Sequence, residues 1–214
     1  MIDFYYGSGS PYAWRVWLAL EHKRLPYELH VMSFSGGDLK TDAFRAINPR
    51  GRVPAIVDGG FALAESAAIL EYLQDAYPGS GPALFPGDVR ARAQARRMIR
   101  EADEYLAHGM EVLGDLLFGA AAPDAAAVAQ AREAFLAEAS VLEQSSQAPF
   151  LAGDVGAADF TVYPIIALAL RMQDRKQPQI GIRESLGPRL TAWMRRVEAL
   201  PYFERTYPPH WKSA

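Results

Sequence analysis

Residues 48–68 read Asn-Pro-Arg-Gly-Arg-Val-Pro-Ala-Ile-Val-Asp-Gly-Gly-Phe-Ala-Leu-Ala-Glu-Ser-Ala-Ala. Val53-Pro54 opens a short apolar run, Ala55-Ile56-Val57, that reads as a buried strand. Proline has no N–H to give to a ladder, so in a sheet it is confined to strand starts, edges and bulges. Asp58-Gly59-Gly60 supplies residues that tolerate positive φ, the chemistry of a hairpin, and Phe61-Ala62-Leu63 returns as the partner strand. Glu65-Ser66 then opens a pattern of Ile69, Leu70, Tyr72 and Leu73 at helical spacing.

Upstream, residues 2–6 form an apolar and aromatic run that reads as a strand, and Gly7-Ser8-Gly9 breaks it. Ser10-Pro11 is a helix start, a capping hydroxyl followed by proline at the first helical position. Trp14, Val16, Trp17, Leu18 and Leu20 carry that helix to His22, where Leu25-Pro26 stops it. Residues 27–32 read as a second strand, 33–38 as a Ser/Gly loop and 41–47 as a short helix. The order is β-α-β-α-β-β-α, with the first β-α-β unit parallel and right-handed.

Downstream, Pro78-Gly79-Ser80-Gly81-Pro82 is the sharpest composition break in the chain. Beyond it the strands vanish. Helical spacing runs over residues 89–118, 124–147, 157–172, 186–199 and a short 201–207, with an Ala-rich loop at 119–127. The predicted organisation is a first domain at 1–77, a linker at 78–86 and a helical domain at 87–214.

The proline-started strand, hairpin and helix resemble the second half of a thioredoxin-like domain. Val53-Pro54 followed by Glu65-Ser66-Ala67-Ala68-Ile69-Leu70-Glu71-Tyr72-Leu73 resembles the soluble glutathione transferases. The nearest are the serine-type delta, theta and zeta-like bacterial members. The resemblance implies an α/β thioredoxin-like domain followed by an all-α helical bundle. In the second half, Gly153-Asp154 with Ala158-Asp159-Phe160-Thr161 is similar to the family's buried-helix entry. Gly156 stands where that family has a Ser or Thr cap, a change worth a few tenths of a kcal/mol. Trp193, Val197 and Leu200-Pro201 are similar to its last long helix.

Composition narrows the possibilities. The chain has 214 residues, 50% of them hydrophobic and 22% charged, which suits an ordinary globular protein with a sizeable core. A formal net charge of -3 offers no electrostatic case for nucleic acid or an anionic membrane. With no cysteine, disulfides, thiolate metal sites and a protein-borne thiol nucleophile are all excluded. No leader and no apolar run of spanning length is visible, so a cytoplasmic location is expected.

His22, His30, His108 and His210 stand apart in the sequence and show no metal spacing, so no metal site is expected. Gly7-Ser8-Gly9 lacks the third glycine of a phosphate loop, and no Ser-His-Asp order can be argued. The arginines at 90, 92, 96, 97 and 100 run down one helix among acids, a solvated face or a dimer rim.

The resemblance implies glutathione as co-substrate, with site residues at Ser10, Arg52, Val53, Pro54, Glu65 and Ser66. A free thiol has a pKa of ~8.5, lowered by helix N-termini and by hydrogen-bond donors. Ser10, at the turn from first strand to first helix, would donate to the thiolate. Its capping role competes with that reading, and Ser8, Tyr5 and Tyr6 are the alternatives. A cis Val53–Pro54 bond would turn the Val53 backbone outward to pair with the cysteinyl part. Ser66 and the N–H groups at its helix start would hold the γ-glutamyl carboxylate, Glu65 would face the ammonium, and Arg52 (Arg50 next) would reach the glycyl carboxylate. Tyr12, Met110, Leu113 and Phe118 are candidates to line a pocket for the second substrate.

The implied activity is attack of the thiolate on a small hydrophobic electrophile, a detoxifying transferase working as a homodimer. Two other readings stand beside it: a non-catalytic or chaperone-like module of the same fold, and a glutathione-dependent isomerase or dehalogenase. The zeta isomerases carry Ser-Ser-Cys where this chain has Ser10-Pro11-Tyr12, and cysteine-type classes are excluded outright. The kappa-class and chromene-carboxylate isomerases share a similar start, but they insert their helical domain before the proline strand.

Overall fold

In residues 2–6, Ile2, Phe4 and Tyr6 are buried while Asp3 and Tyr5 between them are half-buried, the period of two that a strand imposes. The structure is a computed structural model and describes residues 1–119, 122, 124–145 and 149–212. From the start of the chain the elements are β1 (Ile2–Tyr6), α1 (Pro11–His22), β2 (Tyr27–Val31), α2 (Asp42–Ile47), β3 (Ala55–Asp58), β4 (Phe61–Ala64) and α3 (Ser66–Ala76). This is the predicted order. The sheet runs β2-β1-β3-β4, with β1 and β2 parallel and β3 antiparallel to both β1 and β4. The inner face of β1 meets α1, Tyr6 lying edge-on to Trp17 at 4.8 Å between centroids. Tyr5 points to the opposite face, 5.6 Å from the Phe44 ring on α2. Asp58 pins the hairpin to α3 by accepting from the hydroxyls of Tyr72, at 2.8 Å, and Tyr77. That bond to a carboxylate pushes the Tyr77 pKa up to about 12.

The helical part opens with α4 (Val89–Glu101), capped by Asp88, whose Oδ1 accepts from the N–H groups of Arg90 and Ala91. One π turn (Ala102–Leu106) leads into α5 (Ala107–Phe118), so helix is continuous over 89–118 as the pattern predicts. α6 (Ala125–Ser145) begins inside the stretch expected to be loop; its expected extension to 147, and residues 120, 121 and 123 of that loop, lie outside the described residues. α7 (Ala157–Lys176) runs past its expected end at 172, and α8 (Ile182–Ser185) and α9 (Pro188–Glu198) follow. Met110 and Leu113 are buried in this unit, whereas Phe118 is exposed.

At the start of α7 the carboxylate of Asp159 is fully buried. It accepts from Leu151 N at 3.0 Å, Gly156 N at 2.9 Å and Trp193 Nε1 on α9 at 2.7 Å. Gly156 has no side chain to cap with, so only the Asp159 half of a capping box exists here.

The chain divides into two units, Met1–Pro86 with the segment from Leu200, and Gly87–Ala199. Residues from 200 onward therefore belong with the first unit, not with the helical one as sequence order suggests. Aromatic packing accounts for this. On α1, Trp14 Nε1 donates to Thr206 Oγ1 at 3.0 Å, and the indole meets Phe203, Tyr207 and Trp211 at 5.5–5.9 Å. These residues sit on or beside α10 (Phe203–Thr206) and α11 (Pro209–Lys212).

Candidate functional site

Strand register decides which residues meet. Tyr5 pairs with Ala55 in the antiparallel β1–β3 ladder, and Ala55 pairs with Ala64 in β3–β4. One step past each pair, the end of β1 (Gly7 onward), the approach to β3 (Val53-Pro54) and the exit of β4 (Glu65-Ser66) lie on the same edge of the sheet. α1 and α3 both start there. The register thus brings together two helix N-termini, each with partial positive charge and unspent N–H groups.

Gly7 packs closely against the side chains of Phe34 and Val53. A Cβ there would lie 2.5 Å from the Phe34 ring and 2.8 Å from Val53 Cγ2, so a larger residue would have to displace one of these side chains. Phe34, 58% exposed, is an aromatic at this edge that sequence reading passed over as part of a Ser/Gly loop. Nothing in its local pattern marks it, because the close approach exists only once β1 and β3 are paired.

Ser10 is the N-cap of α1, its Oγ accepting from Ala13 N at 3.2 Å. That uses a lone pair. The hydroxyl keeps its proton, and among the described residues no acceptor takes it. Capping and donation do not compete, which corrects the expectation drawn from sequence. Ser8 is committed elsewhere, its Oγ 2.6 Å from His210 Nδ1. Tyr6 is fully buried; its hydroxyl accepts from Gly9 N at 3.4 Å, and burial raises its pKa. Tyr5 stacks on His30 at 4.7 Å and is a sheet-face residue.

The Val53–Pro54 bond is cis, as the resemblance implies. β3 begins only at Ala55, and among the described residues neither the N–H nor the C=O of Val53 has a hydrogen-bond partner. An open backbone edge of this kind can take a peptide as an added strand.

Glu65 sits at φ 68°, ψ 104°, one of the few non-glycine residues at positive φ. Such a conformation costs on the order of 1–3 kcal/mol and collects at ligand clamps. Glu65 offers α3 no side-chain cap, whereas α1 and α2 are capped by Ser10 and Thr41. The plain helix-cap reading of Glu65-Ser66 therefore fails, and the α3 N-terminus is left open to an anion. Ser66 is buried yet makes no side-chain hydrogen bond among the described residues. Arg52 is exposed, and its carbonyl accepts from Asn48 Nδ2 at 2.6 Å. Asn48 Oδ1 also accepts from Arg50 N, so this asparagine shapes the turn that carries both arginines.

Elsewhere Asp3, Glu28 and His30 bring one ligand atom each within 4.8 Å on the sheet face. The direct bond of His30 Nε2 to Asp3 Oδ1 at 2.9 Å accounts for that grouping.

Comparison with known proteins agrees with this geometry. The family described as "Glutathione S-transferase, N-terminal domain" matches residues 9–76. Mouse glutathione S-transferase theta-1 is 33% identical over 202 residues, covering 86% of this chain and 77% of that protein. The chain belongs to the glutathione S-transferase family. The maleylacetoacetate isomerase of Pseudomonas aeruginosa is 44% identical over a shorter stretch of 96 residues, 43% of each chain. The crystal structure of a glutathione S-transferase from the Antarctic clam Laternula elliptica superposes with a TM-score of 0.83 at 29% identity, covering 100% of this chain and 94% of that one. Its fold and that of the present chain are the same, a four-stranded thioredoxin-like domain and a helical domain. Among the described residues no helix is long and apolar enough to cross a membrane.

Proposed function

We propose that this protein is a glutathione transferase that ionises the glutathione thiol beside Ser10 and directs it at a small hydrophobic electrophile. The observation that carries this is the convergence, on one sheet edge, of an unpaired Val53 backbone, an uncapped α3 N-terminus and a Ser10 hydroxyl with a proton to give.

Each part of the tripeptide has a complement there. The cysteinyl backbone pairs with the N–H and C=O of Val53, ahead of Pro54. The γ-glutamyl carboxylate takes Ser66 and the first N–H groups of α3, and Glu65 faces its ammonium. Arg52 reaches the glycyl carboxylate. The sulfur then lies by the N-terminus of α1, where Ser10 donates to it and the helix field favours the anion. Lowering a thiol from ~8.5 by two units takes about 2.7 kcal/mol, within reach of one charge-assisted hydrogen bond plus a helix terminus. In the reaction the thiol proton leaves to solvent, the thiolate forms an S–C bond, and the leaving group departs with the electron pair of the broken bond.

Glutathione-dependent isomerisation is the second reading, favoured by the isomerase match over the shorter stretch. The cysteine-free Ser10-Pro11-Tyr12 loop weighs against it. A homodimer and a cytoplasmic location complete the proposal. Calorimetric titration with glutathione, followed by conjugation of chlorodinitrobenzene monitored by absorbance, tests it. Micromolar to low-millimolar binding with turnover supports the transferase; binding without turnover on any electrophile leaves a binding module; no binding at millimolar glutathione ends the proposal.

A further inference from the structure

The last turn of the chain lies against the loop that presents Ser10. Ser8 Oγ and His210 Nδ1 are hydrogen-bonded at 2.6 Å across 202 positions of sequence. Gly9, at φ 85°, sits so close beneath α11 that a Cβ would fall 2.8 Å from His210 Cε1 and 3.3 Å from Trp211 Nε1. The helix side of this contact has anchors of its own. Trp211 is buried, 5.5 Å from the Trp14 ring and 5.9 Å from Tyr207, and Lys212 Nζ donates to the Glu204 carbonyl at 3.0 Å. The loop side is held by a turn from Ser10 N to Gly7 O at 3.0 Å, a long bond from Gly9 N to the Tyr6 hydroxyl at 3.4 Å, a side-chain hydrogen bond between Ser8 and Tyr6, and the Ser10 cap on Ala13 N. The short Ser8–His210 bond ties this loop to a helix held by its own aromatic packing.

We infer that His210 is a positioning residue for the thiol site: through Ser8 it holds residues 7–10 in place and so sets where Ser10 meets the sulfur. The inference rests on the transferase reading for its catalytic consequence, but the holding of the loop can be measured apart from activity. His210 does not touch the reacting atoms. Its neighbour Ser8, a candidate thiol donor in the sequence, is instead the link between the site loop and the end of the chain.

The test compares the full-length protein with His210→Ala, His210→Asn, Ser8→Ala and the Ser8→Ala/His210→Ala double variant. Amide hydrogen exchange at residues 8–10 is read first, then kcat and KM for glutathione with chlorodinitrobenzene, then Tm. His210→Ala should speed loop exchange on the order of 10-fold, as a local opening becomes easier. It should also lower kcat/KM for glutathione about 10-fold, since small misplacements near reacting atoms are costly, with Tm little changed. His210→Asn, which keeps a polar atom at the Nδ1 position, should recover both. The double variant should be no worse than either single one. Unchanged loop exchange in His210→Ala, or losses that multiply in the double variant, would overturn the inference. A wild-type protein that binds no glutathione would instead overturn the transferase reading and the catalytic half with it, while exchange still decides whether His210 holds the loop.

Discussion

The indole N–H of Trp193 reaches 2.7 Å from Oδ1 of Asp159, a carboxylate with no exposure to solvent. The same carboxylate accepts from two backbone N–H groups at the entry to α7. Three donors therefore depend on one buried acceptor. Removing the acceptor strands them all, at roughly 1–3 kcal/mol for each orphaned group. Asp159→Ala should destabilise the helical unit by at least ~3 kcal/mol, lowering Tm by about 10 °C. Asp159→Asn should recover part of this, because its amide presents one oxygen and a nitrogen that cannot accept. Chemical denaturation followed by far-UV circular dichroism would check both, and an Asp159→Ala variant as stable as wild type would show that the network contributes nothing.

His22 gives the first unit a dependence on acid. Burial chiefly, helped by the charges of Lys23 and Arg24, lowers its pKa from 6.5 to about 4; the Ala83 backbone acts the other way. Its Nδ1 is hydrogen-bonded to the Tyr202 hydroxyl at 2.7 Å. Because the folded pKa lies below the unfolded one, the unfolded chain takes up the proton first. The stability is therefore whole above pH 6.5 and is lost as pH falls toward 4, by about 3 kcal/mol in all. Asp159 has the opposite sign, since burial raises its pKa from 3.8 to about 6, so the folded state binds that proton first and gains as pH falls through the same range. Thermal melts between pH 7 and pH 4 should show His22→Asn with a flatter decline than wild type; parallel declines would remove His22 from the account.

Ser10→Ala removes both a cap and a donor. Losing the bond to Ala13 N should cost about 1 kcal/mol of stability. Losing the donor to the thiolate should lower turnover 10- to 100-fold, the range of a charge-assisted hydrogen bond, with glutathione affinity nearly intact. The thiolate absorbance of bound glutathione, followed against pH, separates the effects: its midpoint should move up in the variant. A midpoint that stays put would transfer the donor role away from Ser10.

Ser66→Ala should behave in the reverse way. The hydroxyl makes no bond within the described residues, so Tm should stay within about 1 °C. Glutathione binding should weaken about 10-fold as one contact to a carboxylate is lost. Glu65→Gly carries the same logic further. Glycine relieves the positive φ of 68°, so stability should hold or rise while affinity falls. Calorimetry beside differential scanning would check the pair, and a loss of stability without loss of affinity would return both residues to a structural role.

Much of this was legible in the residues themselves. Ser10-Pro11 starts α1, Val53-Pro54 precedes β3, Asp58-Gly59-Gly60 turns the hairpin and Ser66 opens α3, each from chemistry contained within a few neighbours. Trp14 illustrates the limit. Its place in an apolar helix was plain, but its partners Thr206 and Trp211 lie nearly 200 residues on, and no periodicity links them.

By itself, then, the sequence determined the elements and their order, because those depend on short-range backbone preferences and capping. Only the tertiary structure decided that the chain's end returns to the first unit, that Phe34 and Gly7 close on Val53, and that His210 meets Ser8. Those contacts come from burying aromatic surface and pairing distant strands, forces that act between segments only after the chain has folded back on itself.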